Sequence, residues 1–186
     1  MGQNVCVGAY DVDRNRNIRL LDANGYGQPS TFPLNIGDVV TAQYRDRQNI
    51  DAPHTEDVLL QSYQPYANEQ EVGNAFSANA PVIDGPITNC FGGKLFQPGH
   101  GAMAIPNNDV PDHSVCFWRT DRSLTLNNYG KYVYRNGFRN IQIQYVGFPE
   151  SVQRIPSGTV VRLSLSRRWN VDDQEKLCWL QLSGWY

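Results

Sequence analysis

Alternation of apolar and polar residues dominates the second half of the chain. In residues 160–165, VVRLSL, Val161, Leu163 and Leu165 fall on one face and Arg162 and Ser164 on the other, with the turn Pro156-Ser157-Gly158 just ahead. A period of two is the mark of a half-buried strand. Lys131-Tyr132-Val133-Tyr134-Arg135 alternates in the same way, and Ile141, Ile143 and Tyr145 alternate with Gln142 and Gln144. The intervening Asn136-Gly137 predicts a tight hairpin between them. Val115–Trp118, Leu124–Leu126 and Leu177–Tyr186 complete the strands expected there, the last with Cys178, Leu180 and Leu182 on one side.

The first half reads alike but more weakly. A strand around Val5 and Val7 returns through the polar turn 11–17 to Ile18-Arg19-Leu20. A strand follows Gly37, then a polar loop through Pro53, then a strand over Asp57–Tyr63. Residues 64–113 show little periodicity and hold Pro65, Pro81, Pro86, Pro98, Pro106 and Pro111. Only Ala67–Phe76 suggests a short helix, weakened by Gly73. Loops this long are usually functional or linking.

Gly37-Asp38-Val39-Val40 echoes Gly158-Thr159-Val160-Val161, Arg47 matches Arg168 within one register, and Leu60-Gln61-Ser62 echoes Leu180-Gln181-Leu182-Ser183. Gly37 to Gln61 spans 24 residues and Gly158 to Gln181 spans 23. Asn4-Val5-Cys6-Val7 against Ser114-Val115-Cys116-Phe117 is a third echo, and the shared order suggests duplication. The expected architecture is mainly β: two consecutive OB-like small barrels, 1–64 and 114–186, joined by a long irregular segment, 65–113, packed on the barrels.

At 186 residues and 40% hydrophobic content the chain can build a real core. No apolar run approaches the ~20 residues that cross a bilayer, and no charged-then-apolar leader opens the sequence, so a cytoplasmic protein is expected. The four cysteines, Cys6, Cys90, Cys116 and Cys178, are scattered without a CxxC. They read as buried reduced thiols rather than a zinc site. The net charge of −2 hides an asymmetry: five Lys/Arg against eleven Asp/Glu in residues 1–84, eleven against seven in 85–186. A basic second half hints at an anionic partner there; a solvated surface, or attraction between the halves, is the plainer account.

Several segments taken together resemble the dual OB-containing domain family: Val5-Cys6-Val7, Leu34 with Gly37-Asp38-Val39-Val40, His54 with Glu56-Asp57, Gly158-Thr159, Val161-Arg162-Leu163-Ser164-Leu165, and Cys178-Trp179-Leu180-Gln181-Leu182-Ser183-Gly184-Trp185-Tyr186. The resemblance covers both ends and departs at Tyr10–Arg16, a turn of mixed charge where a basic one belongs. It implies tandem OB folds, a bacterial conflict or defence setting, and a nucleic-acid-sensing or adaptor role.

Catalytic chemistry finds little footing. The three histidines are His54, His100 and His113; no G-x-S-x-G elbow exists, and Gly92-Gly93-Lys94 lacks the rest of a phosphate loop. No enzyme activity, cofactor or metal is expected. A lesser reading makes Asp51, His54 and Glu56 an enzyme site. Binding chemistry is better supplied. OB-fold binders of single strands stack bases on aromatics and neutralise phosphates with Arg and Lys. The candidates are Trp118, Arg119, Arg122, Lys131, Arg135, Arg139, Arg167, Arg168 and Trp169. Tyr132 and Tyr134 share a face that suits a barrel core as well as a binding surface. The expected partner is single-stranded nucleic acid, with a protein effector of the same defence system as a further one and no membrane. The alternative is a subunit that only holds a protein effector.

Overall fold

The computed structural model describes residues 4–99, 101–137, 139–168 and 176–186. The first unit carries β1 (Asn4–Val5), β2 (Val7–Asp11), β3 (Arg16–Leu21), β4 (Gln28–Pro29), β5 (Asp38–Asp46) and β6 (Asp57–Asn68). β1 pairs with β4, and the other four form a sheet in the order β2-β3-β6-β5, with β3 parallel to β6. Its buried centre is small: Ile18, Leu20 and Val58, with Val7, Ala9, Tyr44 and Leu60 packed around them. Side chains bridge the seam between the β2–β3 hairpin and β5. The Tyr44 hydroxyl donates to Asp11, Arg16 pairs with Asp46 at 2.5 Å, and Arg14 and Arg16 lie over the Tyr44 ring at 5.0 and 5.5 Å.

Residues 69–113 link the units, because β6 carries the first unit past the expected boundary at 64. Within them lie α1 (Val72–Asn79), β7 (Val82–Ile83), a 3-10 stretch at Ile87–Gly93, β8 (Phe96–Gly99), β9 (Ala102–Pro106) and a 3-10 turn at Asn107–Asp109. The helix starts later than its expected position because Ala67 and Asn68 extend β6 along β5. Gly73 has a packing reason: a Cβ there would come within 3.1 Å of the Tyr186 backbone. α1 thus lies close enough for Phe76 to stack on Phe117 at 4.2 Å and meet Tyr186 at 5.0 Å.

The second unit holds β10 (Val115–Arg119), β11 (Leu124–Leu126), β12 (Lys131–Asn136), β13 (Arg139–Tyr145), β14 (Arg154–Ile155), β15 (Val160–Leu165) and β16 (Leu177–Trp185). β10 pairs with β15 and its continuation β11 with β12; β12 pairs with β13, β13 runs parallel to β16, and β16 returns to β15. That circuit is the closed Greek-key barrel of an OB fold. β9 of the linking segment is spliced into it, pairing with the start of β16 and touching β13 at Gln142. The alternating residues fill the interior as their period predicts, with Tyr132, Tyr134, Ile143, Val161, Leu163 and Leu182 fully buried.

The two units correspond strand for strand over most of their length. The hairpin, parallel pair and final hairpin β2-β3-β6-β5 match β12-β13-β16-β15. Two of the three sequence echoes fall on equivalent strands. The third does not: Val115–Phe117 belongs to the closing strand β10, whereas Asn4–Val5 pairs with β4 and Val7 opens β2, which takes the place of β12. Cys90, Cys116 and Cys178 are buried, but Cys6 is exposed at the break between β1 and β2; none is disulfide-bonded. No described helix is long and apolar enough to cross a membrane.

Candidate nucleic-acid interface

The β12–β13 hairpin positions the densest set of predicted residues. Asn136 pairs with Arg139, so the loop begins at Gly137, whose φ of 60° supplies the left-handed conformation a tight turn needs. From that register the outward partners follow: Arg135 opposite Asn140, Val133 opposite Gln142, and Lys131 opposite Gln144. Thr125 of β11 extends the Val133 row outward, and Arg154 of β14 lies beyond it. No residue of β11, β12, β13 or β14 is acidic. Arg122 reaches the edge of this face, donating from Nη1 to the Arg135 carbonyl at 3.1 Å. Its Nε lies 3.6 Å from Asp121, the acid that also accepts from the Tyr134 hydroxyl at 3.1 Å. Burial and that carboxylate push the Tyr134 pKa up to about 12.

Arg122, Lys131 and Arg135 therefore gather on one face, while Arg139, opposite Asn136, is exposed at the hairpin tip on the other parity. The other predicted residues do not join them. Trp118 is wholly buried, its indole N–H donating to the Gly85 carbonyl at 2.8 Å, so it is a core residue and no stacking platform. The cause is β10's position: β7 covers one edge, β15 the other, and Tyr134 meets the indole edge-on at 5.5 Å. Arg119 turns toward the linking segment, to Asp84 and the Ser77 hydroxyl, both at 3.2 Å. Arg167 and Arg168 lie on a separate cleft facing the first unit. Trp169 falls outside the described residues.

Two aromatics that alternation did not single out stand in the open. Tyr129 is 84% exposed in the β11–β12 loop, and Phe148 is 81% exposed after β13. Lys131 opens β12 opposite the end of β13, so both aromatics leave the barrel at the same end of the hairpin. Asn127 Oδ1 accepts from the backbone N–H groups of Tyr129 at 2.9 Å and Lys131 at 3.0 Å, which holds the loop in shape. The Asn-Asn-Tyr-Gly turn at 127–130 was the available signal for Tyr129.

Asp51 and His54 line one cleft, whereas the Glu56 carboxylate is engaged by Ser114. Glu56 accepts from the Ser114 backbone N–H and from its hydroxyl at 2.9 Å, and His54 Nε2 donates to the Ser166 carbonyl at 3.2 Å. Among the described residues no group of His, Cys, Asp and Glu is placed to hold a metal ion.

The family model of the dual OB-containing domain matches residues 1–185. The chain belongs to that family. No curated protein and no solved structure matches it significantly. As a dual OB-containing domain protein it is a binding module by architecture, and the strand 2–strand 3 surface that OB folds use for oligonucleotides is here β12–β13.

Proposed function

We propose that this dual OB-containing domain protein is a non-catalytic, cytoplasmic binding module that contacts single-stranded nucleic acid through its second barrel, as an adaptor of a bacterial defence system. The β12–β13 face carries the proposal: Lys131 and Arg135, with Arg139 at its tip and Arg122 at its edge, amide side chains between them, and no acidic residue in β11, β12, β13 or β14. Tyr129 and Phe148 add exposed ring faces at one end. Stacking contributes ~1–3 kcal/mol per base regardless of sequence, and each phosphate contact adds salt-dependent affinity. The defence setting rests on the family resemblance alone. A second reading, a subunit that holds a protein effector, draws on Tyr66 and Val39, exposed along the β5–β6 hairpin.

Fluorescence anisotropy with labelled single-stranded DNA and RNA at two salt concentrations tests the first reading. Lys131→Gln/Arg135→Gln/Arg139→Gln should weaken binding and lower the salt slope by about 0.7 for each phosphate no longer neutralised. Tyr129→Ala should weaken it with little change in slope. Absence of wild-type binding at low salt would refute the nucleic-acid reading and turn attention to a protein partner.

A further inference from the structure

In the first unit residues 47–56 join the last two strands, and in the second residues 166–168 follow β15. The fold brings these two segments together. Arg168 Nη2 donates to the Ala52 carbonyl at 2.7 Å, and His54 Nε2 to the Ser166 carbonyl at 3.2 Å. Between them lies a cavity of about 330 Å³ whose lining includes Arg47, Asp51, His54, Asp57, Arg167 and Arg168.

Among the described residues the charge in this cleft is unbalanced. Asp57, 1% exposed, is approached by three guanidinium groups: Arg19, Arg47 at 3.3 Å and Arg167 at 3.6 Å. One carboxylate cannot neutralise three cations, and Arg168 brings a fourth to the wall. Asp51, the other acid of the lining, is exposed to solvent. Burial, then Arg19 and Arg167, lower the His54 pKa to about 4, so the ring is neutral at physiological pH. Arg167 is 68% exposed, and its contact with Asp57 is longer than a hydrogen bond, so most of its donors face outward.

A guanidinium fork matches the oxygens of phosphate, and a group of converging forks in a recess selects it over a lone carboxylate. The cavity sits at the small end of the range for ligand pockets. It has room for a phosphate with one attached group, not for a continuous strand. We propose that this cleft binds a phosphate monoester through Arg47, Arg167 and Arg168, the monoester being a mononucleotide or the terminal phosphate of a nucleic acid. The site is separate from the β12–β13 face and stands whether or not that face binds a strand. The repeat explains its origin, since Arg47 and Arg168 occupy matching places after the next-to-last strand of each unit.

Isothermal titration calorimetry of the full chain at low salt, with inorganic phosphate, adenosine 5′-monophosphate and adenosine, tests the proposal. Phosphate and the mononucleotide should bind and adenosine should not. Arg167→Gln/Arg168→Gln should weaken both at least tenfold, while Lys94→Gln, which removes a cation paired with Asp109 on the linking segment, leaves them unchanged. Competition with one oligonucleotide bearing or lacking a 5′-phosphate separates the two sources: preference for the phosphorylated end assigns a nucleic-acid terminus, and preference for the mononucleotide assigns a free nucleotide. No heat with either phosphate or mononucleotide, or wild-type affinity in Arg167→Gln/Arg168→Gln, would overturn the site.

Discussion

Replacing Glu56 by Ala tests what holds the two units together. Glu56 precedes β6, is 6% exposed, and takes both donors of Ser114, itself 2% exposed at the entry to β10. Arg162, half-buried on β15, adds a favourable charge interaction with Glu56 while its Nη1 donates to Ser183 Oγ at 3.1 Å. Removing the carboxylate strands a backbone N–H and a hydroxyl in a site shielded from water. Each buried donor left without a partner costs about 1–3 kcal/mol, so a loss of about 3 kcal/mol is expected. At this chain length that corresponds to a fall in Tm of about 6–12 °C. Urea denaturation monitored by circular dichroism reads the change directly. Glu56→Gln, which keeps one acceptor oxygen and the shape, should lose about half as much. A double-mutant cycle of Glu56→Ala with Ser114→Ala should give a coupling of about 1 kcal/mol or more. A Glu56→Ala protein within about 0.5 kcal/mol of wild type, which is the range of an ordinary surface change, would refute the reasoning.

The duplicated turn glycines should differ in tolerance. Gly158 has φ +86° with open space around it, so Gly158→Ala should cost about 1–2 kcal/mol of backbone strain, whereas Gly37, φ +94°, would also drive a Cβ to 2.4 Å from the Glu69 carbonyl oxygen and Gly37→Ala should cost clearly more by denaturant midpoint. His54 should make stability depend on pH. Its folded pKa, about 4, lies below the unfolded 6.5, so the unfolded chain takes up the proton first, and the stabilisation, full above pH 6.5, is lost as pH falls toward 4. The ceiling is about 3 kcal/mol from the size of that shift, and the difference in denaturation midpoint between wild type and His54→Gln should shrink across that window.

Much of the second barrel was legible in the residues. Strong alternation in 131–135, 139–145 and 160–165 named the faces correctly, because one side of each strand packs into a closed interior. The same pattern left open whether Tyr132 and Tyr134 formed core or surface, and barrel closure decides for the core. Trp118 misled because an Arg beside an aromatic reads the same on a binding face and on a strand covered at both edges. β7 and β9 escaped notice because short strands paired at distant partners leave no local period, and the prolines and glycines around them read as loop. The cleft was half visible as a repeated Arg. What the sequence lacks is the approach of the two loops, which depends on Glu56, Thr55 and His54 contacting residues 57 to 112 positions away.

The splicing of β9 into the second barrel also constrains the order in which the molecule can be built. On a ribosome β9 can pair with β8 at once but emerges well before its barrel partners β13 and β16, and its edge toward β16 stays bare until that last strand has been made. β16 itself joins β9, β13 and β15 at once. The second barrel therefore completes as a single late event, with one strand edge held open in waiting, whereas β2, β3, β5 and β6 are already assembled from the first third of the chain. Such an exposed edge is where nascent chains meet holding chaperones or one another.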